Sequence, residues 1–178
     1  MTFLFKGQPY DLTNDHELTS FLDQLVIIYD QSSTPEAKNV LFQDLTLAEA
    51  TVLPPLPYPK IIQLGHIAGL RVLLNLKKMH HTHFRARLNS ALFNYYGSVS
   101  LLHCAASFGH CDIIEALIKD YGYNPFIEGY NFDSLDYSNS LLKTAEEGGH
   151  AEAIALISNT EQLIKLRNAY LNNNPLEE

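Results

Sequence analysis

Residues 100–118, SLLHCAASFGHCDIIEALI, and residues 140–158, SLLKTAEEGGHAEAIALIS, are two versions of one pattern set 40 positions apart. Ser100 aligns with Ser140, Leu102 with Leu142, Ala105 with Ala145, Gly109-His110 with Gly149-His150 and Ile114 with Ile154. A further step back of 40 reaches KIIQLGHIAGLRVLLNL, where Ile62 takes the Leu102 position, Gly69 the Gly109 position and Leu74 the Ile114 position. That match is looser, because it lacks the paired alanines and has Leu70 where the other copies have histidine. A fixed period in this range marks repeat architectures built from stacked supersecondary units.

Each copy has the same physical content. A short apolar helix ends at a glycine, which can take the left-handed conformation that terminates helices. A second helix follows, apolar at Ile113, Ile114, Leu117 and Ile118 in the best copy. The small Ala105 and Ala106 let the first helix lie close to the second. Neither helix can bury its apolar face alone, so stacking of neighbouring copies has to supply the core.

The stretch 100–126, SLLHCAASFGHCDIIEALIKDYGYNPF, resembles an ankyrin repeat. The family pattern of Thr-Pro-Leu-His, paired alanines, Gly-His, an apolar helix and a Gly-Ala-Asp-Pro-like exit is met by Ser100 to His103, Ala105-Ala106, Gly109-His110, Ile113 to Ile118 and Tyr121 to Pro125. Leu101 stands in place of the proline, and Tyr123 in place of the small residue after Gly122. Residues 140–157 match less well, with Lys143 for the histidine and Glu146 for the second alanine. The offset of 40 exceeds the family's usual length of about 33 residues, so insertions separate the units. The resemblance covers roughly residues 60–158 and implies a protein-binding scaffold with no cofactor and no catalytic residues.

The best copy also pairs each cysteine with a histidine, His103-Cys104 and His110-Cys111, which raises zinc binding as an alternative. Zinc ligands sit at spacings such as C-x2–4-C that let side chains converge. Adjacent residues on a helix point about 100° apart, so His103 and Cys104 aim at different places. The histidines recur at Gly-His and the cysteines do not, which favours the scaffold reading over a metal site. A Cys-His hydrolase lacks a third orienting group here.

Charge is distributed unevenly. The net charge of −8 combines −5 over residues 1–60, +5 over residues 61–90 and −8 over residues 91–178, and no Asp or Glu occurs between Ala50 and Cys111. Such a basic island in an acidic chain marks a partner surface. Its bases are Arg71, Lys77, Lys78, Arg85 and Arg87, the candidates for contact with an acidic protein. His80, His81 and His83 lie among them, and a metal site there stays open as an alternative to a solvated face, although clustered positive charge opposes cation binding. The overall acidity disfavours nucleic acid. The segment 121–139 carries a second candidate surface, in which Tyr130, Phe132, Asp133 and Tyr137 supply aromatic area with polar tips.

The flanks are non-repetitive. TFLF reads as a short strand with KGQP as its turn. Asn14 or Asp15 caps a helix carrying Phe21, Leu22, Leu25, Ile28 and Tyr29, and Thr34-Pro35-Glu36 starts another. Thr46 with Glu49 has the capping-box spacing for a further short helix. LPPLPYPK, with four prolines in residues 54–59, reads as an extended connector, and its PxxP as a less favoured SH3-type ligand. Thr160 with EQLIKLRNAYL reads as a closing helix over the exposed face of the last unit.

The expected fold is all-α: a short ankyrin-like helical solenoid with a non-repeat helical N-terminal cap and a C-terminal closing helix. The divisions are residues 1–53, the connector 54–60, repeats over 61–158 and the closing helix and tail over 159–178. The expected function is protein–protein interaction through the loops, first helices and concave face, without catalysis. The rival is an enzyme or metal-binding protein using the N-terminal region, where Asp15, His16 and Glu17 cluster, or the histidines at 80–83. No apolar run approaches the roughly 18 residues of a membrane span, and the first ten residues lack the pattern of a secretory signal. Together with two cysteines that cannot build a disulfide framework, this suggests the cytoplasm. Short divergent ankyrin-like stacks with unfamiliar flanks resemble interaction modules of effectors from intracellular bacteria, which would place the protein in a host cytoplasm. The sequence sets no oligomeric state.

Overall fold

Alternation of Phe3 and Phe5 with Leu4 is a strand pattern, and the computed structural model, which describes residues 2–50, 57–80, 101–126 and 141–173, makes it one arm of a hairpin. β1 (Thr2–Phe5) pairs antiparallel with β2 (Gln8–Asp11), with Phe3 opposite Tyr10 and Phe5 opposite Gln8. Lys6 and Gly7 form the turn, both at positive φ (49° and 79°), the geometry of a two-residue turn between twisted strands. Gln8 and Pro9, expected in the turn, belong instead to β2. The hairpin adds a small sheet to a fold that is otherwise helical among the described residues, in keeping with the all-α, ankyrin-like expectation.

The chain divides into two units, Met1–Phe84 and Arg85–Glu178. That boundary falls inside the stretch 61–158 expected to be one array.

In the first unit, α1 (Asp15–Gln31) is capped by Asn14, whose Oδ1 accepts the His16 and Glu17 amides at 2.9 and 3.2 Å. Its buried stripe is Leu18, Phe21, Leu22 and Leu25. Phe3, Phe5 and Tyr10 meet the Phe21 ring edge-on, with centroids 5.0, 5.5 and 5.4 Å away. α2 (Pro35–Ala50) starts as expected, with Thr34 Oγ1 accepting the Ala37 amide at 3.2 Å. It then runs unbroken through Thr46. That hydroxyl donates back to the Phe42 carbonyl at 2.8 Å and caps nothing, because Leu41, Leu45 and Ala48 keep one continuous face buried. α3 (Tyr58–Gln63) begins inside the proline-rich stretch. Pro57 is its N-cap and Pro59 lies in its first turn, where no amide donor is needed, so residues 58–60 are helical and not extended. α4 (Ile67–His80) packs against α1, α2 and α3.

In the second unit, α5 (Leu101–Phe108) and α6 (Cys111–Lys119) form one antiparallel pair, and α7 (Leu141–Gly148) and α8 (Ala151–Ser158) the next. α5 packs on α7, helix against helix of successive copies, as stacking requires. Ala105 and Ala145 are completely buried at these contacts. α9 (Thr160–Asn173) buries Leu163 and Tyr170. It was expected over the last pair but packs chiefly on α6 and only secondarily on α8. The Arg167 guanidinium donates to the Gly122 carbonyl, and the Tyr170 ring occupies the space where a side chain at Gly122 would stand.

Candidate partner-binding surface

The turn that defines each helix pair is the same in all three places. In the best copy the Gly109 amide donates to Ala106 O at 3.2 Å and the His110 amide to Ala105 O at 3.0 Å, with Gly109 at φ 75°. Gly149 and His150 repeat this on Glu146 and Ala145, at 3.0 and 3.4 Å. Gly65 and His66 repeat it on Ile62 and Ile61, at 2.8 and 3.2 Å, with Gly65 at φ 65°. This is the paired 6→1 and 5→2 bonding that ends helices at a left-handed glycine. The third copy is therefore real in local geometry but four residues out of the expected register, with Gly65 and not Gly69 as the equivalent of Gly109. Gly69 lies within α4, where an added Cβ would meet the Leu22 side chain at 2.9 Å; it permits close approach of α4 to α1.

His66 also ties these helices together. The Gly69 amide donates to His66 Nδ1 at 3.1 Å, which leaves the ring proton on Nε2, 3.0 Å from Asp23 Oδ1 on α1.

The two histidines and two cysteines of residues 103–111 take places in the helix pair. His103 and Cys104 are buried in α5, His110 is the residue before the first turn of α6, and Cys111 opens that helix. Burial pushes the Cys104 thiol up to about 11. Cys111 is also raised, by burial first and then by Glu152, Glu115 and Asp112. Both shifts disfavour the thiolate that a metal or a nucleophile requires. At pH 8 a disulfide reagent should therefore modify Cys111 well before Cys104, whose thiolate fraction is about 10⁻³ there. Raising the pH to 9 should speed the Cys104 reaction about tenfold, since its ionisation lies above both values. Two thiols reacting at the rate of a free cysteine would show the packing of α5 to be wrong. Among the described residues no three His, Cys, Asp or Glu side chains converge as a metal set. His81 and His83, and the side chain of His80, lie outside the described residues.

Two members of the acid–base cluster at the start of α1, Asp15 and Glu17, make contacts within the fold, and His16 lines a groove. Asp15 pairs with Lys60 at 2.7 Å, and Glu17 Oε2 accepts the Asp11 amide at 2.6 Å. Asp11 itself is held below the usual carboxylate range by the Thr13 hydroxyl and amide. A groove of about 550 Å³ runs along α1 from Asp15 to Ile27, but its lining comes from that single helix.

The basic candidates divide. Arg71 and Lys78 are exposed on α4, and Asn75 and Met79 share their face. Lys77 points elsewhere: its Nζ lies 4.6 Å from the centroid of the Tyr58 ring, a cation–π contact that covers the start of α3. All three of these bases are on α4, the second helix of its pair, not on a first helix or loop. Arg85, Arg87, Tyr130, Phe132, Asp133 and Tyr137 lie outside the described residues. Of the aromatics that lead into the insertion, Tyr121 and Tyr123 are buried and Phe126 is 52% exposed.

Stacked helix pairs closed by a Gly-His turn define the class of this fold as a helical repeat. The family model for the ankyrin repeat matches residues 98–127, the segment holding α5, α6 and the Gly122 turn. Ankyrin repeats are protein–protein interaction modules, and the family is generally non-enzymatic. No curated protein and no solved structure matches the chain. No helix among the described residues is long and apolar enough to cross a membrane.

Proposed function

We propose that this chain is a recognition module that binds another protein through surfaces flanking its helix pairs, and that it performs no catalysis. The observation that supports this reading most is the stacked pair α5–α6 on α7–α8, with its ankyrin-repeat match over residues 98–127. The binding surfaces are the basic island of residues 61–90, for an acidic partner, and the aromatic insertion carrying Tyr130, Phe132, Asp133 and Tyr137. Two unpaired thiols favour a reducing compartment, hence the cytoplasm. The resemblance of short divergent stacks to bacterial effector modules makes a host cytoplasm the specific setting.

Affinity capture tests the reading. The full chain should retrieve a defined protein. Combined Tyr130→Ala, Phe132→Ala, Asp133→Ala and Tyr137→Ala substitutions should reduce its recovery at least tenfold, with the far-UV spectrum and melting midpoint unchanged. Undiminished recovery from that variant and from Arg85→Glu/Arg87→Glu would remove these surfaces from the assignment. Failure to retrieve any saturable partner would remove the recognition reading itself.

A further inference from the structure

The hairpin of the first unit has one closed edge and one open edge. Pro9 has no amide, so Leu4 and Pro9 cannot be a hydrogen-bonded pair of the ladder. The ladder bonds therefore run through Phe3 and Phe5, and the main-chain groups of Thr2 and Leu4 point away from β2. The outward groups of β2 belong in the same way to Pro9 and Asp11. Proline offers no donor there, the Asp11 amide is donated to Glu17 at 2.6 Å, and the Asp11 carbonyl accepts the Asn14 amide at 2.9 Å. β1 has no such closure. Among the described residues nothing pairs with the Leu4 amide or carbonyl, and Leu4 is 54% exposed. α2 packs on β1, and its Asp44 pairs with Lys6, at the end of the strand, at 3.0 Å. Val40 and Leu47, one turn either side of Asp44, are both exposed, Leu47 by 70%. Exposed Glu36 continues that row one turn earlier.

We propose that the open edge of β1 takes an extended peptide as a third strand, with apolar residues at every second position resting on Val40 and Leu47 and a basic residue at the Glu36 end. An unpaired strand edge is completed by extended backbone, which alone presents donors and acceptors in the same repeat. Side chains on one face of such a strand are about 7 Å apart, within the roughly 10 Å along the helix from Val40 to Leu47. The basic end follows from the charge of −5 over residues 1–60. A second copy of this chain fits less well. A stable interface takes about 800 Å² from each partner, and the opening here is a strand of 4 residues bordered by two apolar side chains. The inference extends the recognition reading to the non-repeat unit and uses none of the surfaces assigned above.

Fluorescence anisotropy of the full chain with labelled Lys-Val-Thr-Val-Thr-Val-Lys tests this, beside two versions N-methylated at the valines or at the threonines. The parent peptide should bind saturably. One methylated version should bind at least tenfold more weakly and the other within threefold, because only one edge of the peptide faces β1. Leu4→Pro removes the outward amide and no ladder bond, as Pro9 does opposite it, and should weaken binding at least tenfold. Leu4→Thr keeps the amide and should stay within threefold, and Val40→Ser/Leu47→Ser should weaken binding at least fivefold. Equal binding of all three peptides, or indifference to Leu4→Pro, would overturn the proposal. A dimer of the native chain in sedimentation that Leu4→Pro abolishes would also overturn it, by giving the edge to a second copy. If Leu4→Pro does not fold, the methylated pair decides on the native chain. Affinity capture without peptide binding would reject this edge and leave the recognition reading standing. Peptide binding without any captured protein would do the reverse.

Discussion

Gly109→Ala is expected to destabilise the second unit by about 3 kcal/mol, whereas Gly149→Ala is expected to cost only about 1 kcal/mol. The two glycines have almost the same backbone conformation, φ 75° and 72°, so the left-handed strain of an alanine is common to both. Their surroundings differ. A Cβ on Gly149 meets nothing within 4 Å, while a Cβ on Gly109 would fall 2.4 to 2.8 Å from the Cγ, Nδ1 and Cβ atoms of His150. Repeat stacking explains this. His150, after the second of these turns, lies over Gly109 in the turn before it, and Gly149 has no histidine above it among the described residues. The His150 side chain makes no capping bond of its own, so His150→Ala removes mainly this overlap. In that background Gly109→Ala should cost no more than Gly149→Ala. A coupling of 1 kcal/mol or more in the double-mutant cycle, read from urea midpoints at constant slope, is the expected result. Equal costs for the two glycines in the native background would mean that His150 does not interlock the units.

The same residues show what the sequence could and could not reveal. A period of 40 carried the α5–α6 and α7–α8 pairs correctly, because both copies have the same length between their glycines. Carried one step further, it chose Gly69 over Gly65. The dipeptide Gly-His was present at 65, 109 and 149, but the first interval is four residues longer, and a rigid offset cannot absorb an insertion. Local chemistry was read well where a single residue decides it, as with Asn14 and Thr34 at helix starts. It failed where tertiary burial overrides a local signal. Thr46 has capping-box spacing, yet Leu41, Leu45 and Ala48 bury one face and hold α2 continuous. Lys77 counted as surface charge, and only the fold brings Tyr58 beneath it. The candidate bases on α4 are found by charge, but that Lys77 covers Tyr58 depends on a neighbour 19 positions earlier in the chain, which only the fold brings close.

Phe21→Ala is expected to cost the first unit about 3–5 kcal/mol, the range for removing a fully buried aromatic side chain. The Phe21 ring is completely buried and receives Phe3, Phe5 and Tyr10 edge-on, so its loss removes the aromatic part of the surface on which the hairpin folds, leaving its packing on α2. Phe21→Leu keeps much of the volume and should cost about 1–2 kcal/mol, since the ring contacts are lost but most of the cavity is filled. The consequence for local opening follows from the helix that carries the ring. Phe21 holds the hairpin on one side of α1, while Leu22, the next residue, lies against α4 at Gly69. Truncating Phe21 should therefore expose the amides of Phe3, Phe5 and Tyr10 to hydrogen exchange before those of α4. Simultaneous loss of protection in the hairpin and α4 would show that the two sides of α1 open together and that Phe21 supports both.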